Sequence, residues 1–384
     1  MDGRMIYLDN AATSFPKPYA VSDAVREYML NCGGNAGRGG YANAIKAAEI
    51  VYSCREMLAK AFDAANESVV FFTMNTTQGI NACIKGFLRR GDRVLISNIE
   101  HNAVYRPIYK LFSAGLIEYD TFKVLDGNRR IDDAEILNNI DQKVSKNTTM
   151  VICSAASNIC SAHPPLKEIG ALCRERGIFF LVDGAQGAGH FPISMKDMCI
   201  DALCLPAHKG LLGPQGCGAV ILGEDVMLET LYEGGNGVDS LLGEMPLYPP
   251  ERYEAGTLPL PAIAGLCEGI KRVERFGIDA VALHERRLFE RALVNLSSIK
   301  GVRVYCPDYS GSVLLFSVIG EESEATCERL AKLGICVRGG YHCAPLAHRS
   351  IGTPNGGAVR ASFGIFNTNH DVDYLCDMVR FGSI

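Results

Sequence analysis

The sequence predicts an α/β protein with a mainly parallel, doubly wound sheet in a large domain and a smaller α+β domain after it. From about Ser68 to Leu231, short β-branched or aromatic runs alternate with helical periods, the pattern of a parallel sheet covered by helices. The proline-rich stretch YPPERYEAGTLPLP then interrupts this alternation. A chain of 384 residues is also too long for one ordinary core and suits two domains.

The large domain is predicted as a series of strand-to-helix units. SVVFFT (68–73) is a predicted strand, and the following NTTQGINACIKGFLRRG has apolar residues on one helical face and Gly91 at the stop. The stretch PPLKEIGALCRERG is a further predicted helix. Further strand candidates are RVLIS (93–97), TTMVICS (148–154), IFFLV (178–182), DALCLP (201–206) and GCGAVIL (216–222).

The small domain is predicted to begin with a long helical stretch from about Ala262 to Ser298, bent near Gly277. Strands VRVYCP and SVLLFSV, a helix near Glu321 to Leu333, the strand GAVRASF and a closing helix HDVDYLCDMVRFG follow. No internal repeat or low-complexity linker interrupts the chain.

The composition of the chain limits the kinds of molecule that we expect it to bind. The net charge is -5 without a long run of either sign, which argues against a nucleic-acid or anionic-membrane surface. No segment reaches the ~18 uncharged apolar residues of a membrane span, and the first thirty residues carry no signal-peptide run. We therefore expect a cytoplasmic protein that acts on small molecules.

The 15 cysteines are expected to be mostly reduced core thiols, since a chain of this length needs no disulfide framework. No C-x-x-C pair occurs, so a metal site is not expected. Cys343 differs from the rest. It lies in RGGYHCAPLAHRSIGT (338–353), with glycines ahead and a basic, polar run behind, a stretch that we expect not to be core.

Polar residues follow several predicted strands, and ligands of open α/β sheets bind at the carboxyl ends of strands. Asn75, Thr76 and Thr77 stand at a helix start, where free N–H groups and hydroxyls suit a phosphate, although ordinary capping is the commoner role. Asp183 follows IFFLV, where an acid either caps a turn or pairs with a ring nitrogen. Each residue alone leaves both interpretations open.

Three further strand ends add to this set. His208 and Lys209 follow DALCLP, and a lysine leaving a buried strand is either exposed or a desolvated, nucleophilic amine. His101 follows RVLISNIE, and Asn158 follows TTMVICSAAS. A phosphate cradle, an acid, an aromatic ring and a lysine in this order together indicate a pyridoxal phosphate site, in which the lysine forms a Schiff base.

At this point the sequence resembles the cysteine desulfurases and selenocysteine lyases, the short-loop branch of the class V aminotransferase group. The resemblance runs through YLDNAATSFPKP, NTTQGIN, EHNA, SN, DGAQ, HKGLLGPQG, YEAGT, RGGYHCA and VRASFGIFNT. It implies the fold of the fold-type I pyridoxal 5'-phosphate enzymes. It also implies an N-terminal segment over 1–20 that contributes to the active site and the small domain, a large cofactor-binding domain over 21–257 and a small domain over 258–384 carrying the cysteine loop.

The resemblance assigns roles around the cofactor. Lys209 would carry it and shuttle protons, Asp183 would pair with the pyridine nitrogen, Gln186 would bond the ring hydroxyl, and His101 would stack on the ring. The phosphate would be held by Asn75, Thr76, Thr77 and His208, and by Thr257 of a neighbouring subunit, which implies a homodimer.

The resemblance also assigns the substrate site. Asn158 and Arg360 would hold the amino-acid carboxylate, Asn10 and Ala11 would line the pocket, and Arg38 would lie near its entrance, if Arg38 is not simply a surface-loop residue. Cys343 would take the substrate sulfur as a persulfide while alanine leaves. That attack requires a thiolate, for which Arg338 and His342 would supply favourable charge.

Two positions differ from the family pattern, so the resemblance specifies the substrate less well than the cofactor. Pro206 stands where relatives carry a phosphate-binding hydroxyl, and Tyr341 replaces a histidine. The expected function is a cysteine desulfurase that passes sulfur to an acceptor, for iron-sulfur or other thio-cofactor assembly. Selenocysteine lyase, an aminotransferase or C–S lyase without persulfide, and a non-catalytic sulfur-relay scaffold remain alternatives. An NAD-binding dehydrogenase lacks support because no G-x-G-x-x-G opens a helix.

Overall fold

The computed structural model describes residues 5–37, 39–353 and 355–381. Helices α1 to α11 are Tyr19–Glu27, Ala42–Ala61, Thr76–Phe87, Asn102–Ser113, Asp133–Lys143, Leu166–Arg176, Leu260–Phe276, Ile278–Ser297, Ser323–Lys332, Pro345–Ile351 and Asn369–Phe381. Strands β1 to β14 are Ile6–Tyr7, Val70–Thr73, Arg93–Ser97, Glu118–Phe122, Leu125–Asp126, Arg129–Arg130, Thr148–Ser154, Phe179–Asp183, Ala202–Pro206, Gly218–Leu222, Val302–Tyr305, Val313–Val318, Ile335–Cys336 and Val359–Ser362. Within the described ranges, no helix has the length and apolar character needed to cross a membrane.

A seven-stranded sheet forms the centre of the large domain, in the order β2-β10-β9-β8-β7-β3-β4. Strands β4, β3, β7, β8 and β9 are parallel, and β10 runs antiparallel to both β9 and β2. Strands β8 and β9 are buried along their whole length, as expected for strands covered by helices on both faces. The predicted mainly parallel α/β fold is confirmed.

The small domain is built on the antiparallel sheet β11-β12-β14. The N-terminal strand β1 pairs with β13, so the start of the chain is part of this C-terminal unit. Buried residues form two cores: α7 contributes to the large one and α8 to the small one. Helices α7 and α8, which meet at Gly277, thus face different cores, while the large core also includes later residues such as Cys306 and Leu346. The domain boundary predicted at 257–258 stays a prediction.

Several predicted elements differ in detail from the observed ones. RVLIS and TTMVICS coincide with β3 and β7, but SVVFFT begins as a short 3-10 turn over Glu67–Val69. The long helical stretch is two helices, separated at Gly277, whose φ of +81° suits glycine. The expectation that 338–353 is not core was wrong, because helix α10 buries Leu346, His348 and Ile351.

Candidate active site

The carboxyl ends of β3, β7, β8 and β9 converge at one edge of the large sheet. Because these strands are parallel, residues that follow them meet there. A cavity at this edge is lined by His101, Ser154, Ala156, Asn158, Asp183, Ala185, Gln186 and Lys209. Five predicted site residues, His101, Asn158, Asp183, Gln186 and Lys209, thus come from four separate stretches of sequence to line one cavity.

Lys209 follows β9 and carries a partly accessible side chain. Burial lowers the pKa of its amine to about 8, helped by the charges of Arg360 and Arg338 and opposed by Asp183. The amine has no hydrogen-bond partner within the part of the chain that the structure describes. A desolvated, unengaged amine suits covalent chemistry with a carbonyl compound.

Asp183 is the last residue of β8 and is buried. Its Oδ1 accepts a hydrogen bond from the backbone N–H of Ala185 at 3.0 Å, which fixes the carboxyl group at the cavity wall. Burial raises the pKa of Asp183, while the Ala185 N–H and the charge of Lys209 lower it. A buried carboxylate of this kind favours the protonated form of a basic group that faces it.

His101 caps the N-terminus of α4, where its Nδ1 accepts the backbone N–H of Ala103 at 3.0 Å. In the neutral ring the proton is therefore on Nε2. Burial and the charges of Lys209, Arg338, Arg360 and Arg106 lower the pKa of His101 to about 4. The imidazole ring is therefore neutral near pH 7, and a neutral imidazole can stack on a flat aromatic ligand.

The start of α3 carries the residues of the predicted phosphate site, whose role stays a prediction. Asn75 caps the helix through its Oδ1, which accepts the N–H of Gln78 at 3.0 Å. Thr76 is buried and its Oγ1 has no hydrogen-bond partner among the residues that the structure describes, whereas Thr77 is exposed. His208 stands next to Lys209, and its Nδ1 is likewise buried without a partner.

Two of the ten unpaired buried polar atoms found among the described residues belong to residues that line this cavity, Asn158 Oδ1 and Gln186 Oε1. Such atoms are rare in native proteins because each costs about 1–3 kcal/mol. Three others belong to residues of the predicted site that do not line the cavity, namely Thr76 Oγ1, His208 Nδ1 and Arg360 Nε. Hydroxyl, amide and imidazole groups lacking partners fit a ligand with a phosphate, a ring hydroxyl and a carboxylate, which is the set of groups on pyridoxal phosphate and an amino acid.

The N-terminal loop packs against the same region. The Ala11 carbonyl accepts from Gln186 Nε2 at 2.9 Å, which places this loop beside the cavity. Asn10 instead donates to the Ser362 carbonyl and to Asn367 Oδ1, each at 3.0 Å. The amide of Asn10 therefore joins the loop to the small domain, and its role in lining a substrate pocket stays a prediction.

Arg360 lies on β14 with its guanidinium buried against the cavity. It donates to Asp9 Oδ1 at 2.6 Å and to the Asn158 carbonyl at 3.1 Å, and its Nε is unpaired. Arg338 is exposed and pairs with Arg360 through the backbone only. Both arginine charges act on Lys209, which shows that they belong to one electrostatic site.

Cys343 is the one exposed cysteine, and all fifteen lie in the described ranges. Its carbonyl accepts the N–H of Asn102, next to His101, at 2.7 Å. The preceding carbonyl, of His342, accepts from Asn158 Nδ2 at 2.7 Å. These two bonds fix the backbone of Cys343 to residues that lie at the Lys209 cavity.

His342 does not have the predicted role of a charged neighbour of the thiol. Its ring is buried, its Nε2 contacts the Arg338 carbonyl at 3.0 Å, and its Nδ1 contacts His348 Nε2 at 3.2 Å. Burial lowers the pKa of His342 to about 3, so the ring is neutral near pH 7. The chain of contacts continues from His348 Nδ1 to Thr353 Oγ1 at 2.9 Å and supports the cysteine loop from behind.

Replacing His348 by phenylalanine (His348→Phe) should destabilise the protein, because His342 Nδ1 and Thr353 Oγ1 would lose a buried partner. We expect the free energy of unfolding in urea to fall by roughly 1–3 kcal/mol near neutral pH. Burial lowers the pKa of His348 from 6.5 to about 4, so its stabilisation is present above pH 6.5 and is lost as the pH falls through 4. The difference from the wild type should therefore shrink in acid.

The control for this measurement is His370→Phe, at an exposed histidine whose ring stacks on Tyr374. This variant should stay within about 0.5 kcal/mol of the wild type. An equal loss in both variants, or a difference that does not depend on pH, would show that His348 contributes only apolar packing.

Three positions complete the comparison with the sequence predictions. Thr257 is exposed in the described chain, and Arg38 lies outside the described residues.

The sequence analysis missed Glu100, which is fully buried. Its carboxylate accepts hydrogen bonds from Ser97 Oγ and from both the N–H and the Oγ of Ser154. Burial raises its pKa to about 8. The signal was present in the sequence, since an acid three residues after the apolar run RVLIS needs partners if it is buried.

The sequence of this chain is similar to those of known proteins over most of its length. Residues 6–375 match the family model described as Aminotransferase class-V. A probable cysteine desulfurase of Methanothermobacter thermautotrophicus is 32% identical over 382 residues, covering 96% of this chain and 92% of the relative. A probable cysteine desulfurase of Halalkalibacterium halodurans is 30% identical, covering 97% and 91%.

Solved structures agree with these sequence relatives. The apo cysteine desulfurase of Thermococcus onnurineus NA1 superimposes with a TM-score of 0.90 at 28% identity, covering 99% of this chain and 94% of that one. The cysteine desulfurase CsdA of Escherichia coli, in an S-sulfonic acid form, has a TM-score of 0.86 at 26% identity, covering 98% and 94%. The likeness extends over both domains.

Proposed function

Since the chain belongs to the aminotransferase class-V family, we propose that it is a pyridoxal phosphate-dependent cysteine desulfurase. It converts L-cysteine to L-alanine and retains the sulfur on Cys343 as a persulfide. The observation that supports this most strongly is a pair of hydrogen bonds beside the Lys209 cavity. Asn158 Nδ2 and the Asn102 N–H donate them to two successive backbone carbonyls in the loop of an exposed cysteine. A C–S lyase that forms no persulfide would have no use for a thiol at this place.

The unpaired polar atoms fit the cofactor. Lys209 would hold it covalently, Asp183 would face the ring nitrogen, and His101 would cover one ring face. Thr76 Oγ1 and His208 Nδ1 would bind the phosphate, with Gln186 Oε1 free for the ring hydroxyl. When bound, pyridoxal phosphate supplies an electron sink that weakens bonds to the substrate α- and β-carbons.

The remaining residues bind and orient the amino acid. Arg360 has a free Nε and is held by Asp9, so its guanidinium is preoriented for a carboxylate. The amine of Lys209, with a pKa of about 8, can take up and return a proton near neutral pH. Cys343 attacks the substrate sulfur, the carbon–sulfur bond breaks, and alanine leaves.

A homodimer is part of this proposal. In the family pattern Thr257 reaches the phosphate of the partner subunit, and here Thr257 is exposed and does not line the Lys209 cavity of its own chain. A second copy would also cover large apolar side chains now in solvent, among them Tyr19, Leu30, Leu241, Leu242 and Leu247. The partner's Thr257 would add a phosphate ligand to a site in which Pro206 supplies no hydroxyl.

The test of the function is the product balance of the holoenzyme. With L-cysteine and no reductant, we expect about one alanine per subunit and one persulfide on Cys343, followed by repeated turnover when a reducing thiol is added. Pyruvate and ammonia in place of alanine would indicate a C–S lyase. Selenocysteine is the second substrate to compare: a far higher kcat/KM for selenocysteine would make the protein a selenocysteine lyase.

A further inference from the structure

A buried histidine–glutamate pair links the segment after β8 to helix α8. His190 lies on that segment, beyond Asp183 and Gln186, and Glu285 lies on α8. The Nδ1 atom of His190 is 2.9 and 3.2 Å from the two carboxylate oxygens of Glu285, and both side chains are buried. An ionised carboxylate only accepts hydrogen bonds, so Nδ1 donates. Since His190 Nε2 has no hydrogen-bond partner among the described residues, Glu285 is the polar contact that orients the ring.

The ring of His190 packs against the backbone that carries Lys209. A Cβ atom on Gly210, the next residue, would lie 2.8 Å from His190 Cδ2 and 2.9 Å from Nε2, and it would overlap the Ala188 carbonyl oxygen. A Cβ atom on Gly189 would overlap the Gly210 carbonyl carbon. Glycines at both positions thus allow two backbone segments to touch. Because no space remains between them, the position of the His190 ring determines where the backbone beside Lys209 can lie.

Glu285 belongs to the part of the chain that carries Arg360. Helix α8 contributes to the small core and packs on β12. Strand β12 in turn pairs with β14, the strand of Arg360. The contact between Glu285 and His190 therefore connects the sheet of Arg360 to the backbone of Lys209.

An amino-acid substrate must reach both of these places at once. Under the proposed function its carboxylate binds Arg360, while its amino group reacts at the cofactor on Lys209. Arg360 comes from the antiparallel sheet and Lys209 from the end of β9, so their separation depends on how the two sheets are held relative to each other. A misplacement of about 1 Å can slow a reaction by about a hundredfold.

We propose that Glu285 and His190 are positioning residues, which hold Lys209 at the distance from Arg360 that a substrate with both an amino group and a carboxylate requires. This inference rests on the proposed function and adds two residues to its site. Neither of them lines the Lys209 cavity, so they act through the backbone and not by contact with the substrate. Stability alone does not account for a buried ion pair, since apolar side chains of similar volume are often at least as stabilising.

The test replaces both partners together, His190→Phe with Glu285→Leu. Removal of one partner alone leaves the other buried and unpaired, whereas an apolar pair of similar size is often tolerated. We therefore expect the urea midpoint and the cofactor content of this double variant to match those of the wild type. Its kcat/KM for alanine formation from cysteine should fall about tenfold. The loss is partial because Arg360 also donates to the Asn158 carbonyl, which keeps a second contact with the large domain.

A conservative variant tests the hydrogen bond itself. Glu285→Gln has the length of the native side chain, and its amide oxygen can accept from His190 Nδ1. It should keep kcat/KM within about threefold of the wild type, whereas Glu285→Met, which accepts no such bond, should lose about tenfold. Equal losses in these two variants would contradict the proposed role.

Two amines separate alignment from general damage to the site. L-Alanine and ethylamine differ only in the carboxylate, and each changes the visible absorbance of the bound cofactor when its amino group reacts there. In the double variant we expect the half-saturating concentration of L-alanine to rise about tenfold and that of ethylamine to stay within about twofold of the wild type. This measurement requires no sulfur chemistry.

A second ion pair of α8 provides the matched control. Arg291 Nε donates to Asp373 Oδ1 at 2.6 Å, which joins α8 to α11 inside the small domain and makes no contact with the Lys209 loop. Arg291→Gln with Asp373→Asn should leave kcat/KM and the response to both amines at wild-type values.

The possible failures are distinguishable. A wild-type protein that forms neither alanine nor persulfide from cysteine would refute the desulfurase function, and the two amines would still test the positioning role. Wild-type kcat/KM and amine responses in the double variant would refute the positioning role alone. An equal loss for L-alanine and ethylamine, or a loss that accompanies a lower urea midpoint, would show that the pair only stabilises the fold and would also overturn the proposal.

Discussion

The Lys209→Ala variant is expected to lose desulfurase turnover by roughly a thousandfold or more, the scale on which enzymes respond to loss of a covalent residue. Two functions disappear together, because Lys209 both attaches the cofactor and moves protons. Reduction with borohydride should fix the cofactor to the wild-type chain at Lys209. The variant should show no such label, while its unfolding transition stays close to that of the wild type.

Lys17 provides a stringent control for this prediction. Burial lowers the pKa of its amine to about 8 as well, and it lies in the same region. However, its Nζ donates to the His208 carbonyl and to Ser14 Oγ, each at 2.7 Å, so it is engaged where Lys209 is free. Lys17→Met should retain the label at Lys209. A label on Lys17, or a labelled Lys209→Ala variant, would refute the assignment.

Much of the large-domain fold could be predicted because its signals are local. RVLIS and TTMVICS are continuous apolar or β-branched runs, and such runs form strands when helices cover both faces of a sheet. Helix α10 could not be predicted in this way. It has only seven residues, several of them basic or polar, and it is stabilised by burial, with Ile351 packed in the large core.

Which residues meet at the site could be predicted in part from topology. Residues after parallel strands share one edge, so Asp183, Lys209 and His101 were expected to meet, and they line one cavity. Which atom bonds to which could not be predicted, since this depends on the approach of the small domain. Asn10 is bonded to Ser362, and His342 to His348, through contacts that no spacing in the sequence indicates.

The Cys343→Ser variant should keep the cofactor and lose alanine formation from cysteine by on the order of a thousandfold, since a hydroxyl is a poor nucleophile toward sulfur. The visible absorbance and the borohydride label at Lys209 should be unchanged. Cys199→Ser is the matched control, because Cys199 also has a positive φ, of +51°, and is partly exposed. It should retain full turnover.

The proposed role of Cys343 depends on the position of its thiol as well as on the reactivity of the thiol. The loop is bonded at two successive carbonyls to Asn158 and Asn102, so the thiol cannot move far from the Lys209 cavity without breaking these bonds. Asn158→Ala removes one of them and should slow persulfide formation by about tenfold. Full alanine formation in Cys343→Ser would show that Cys343 is not the sulfur acceptor and would refute the persulfide assignment.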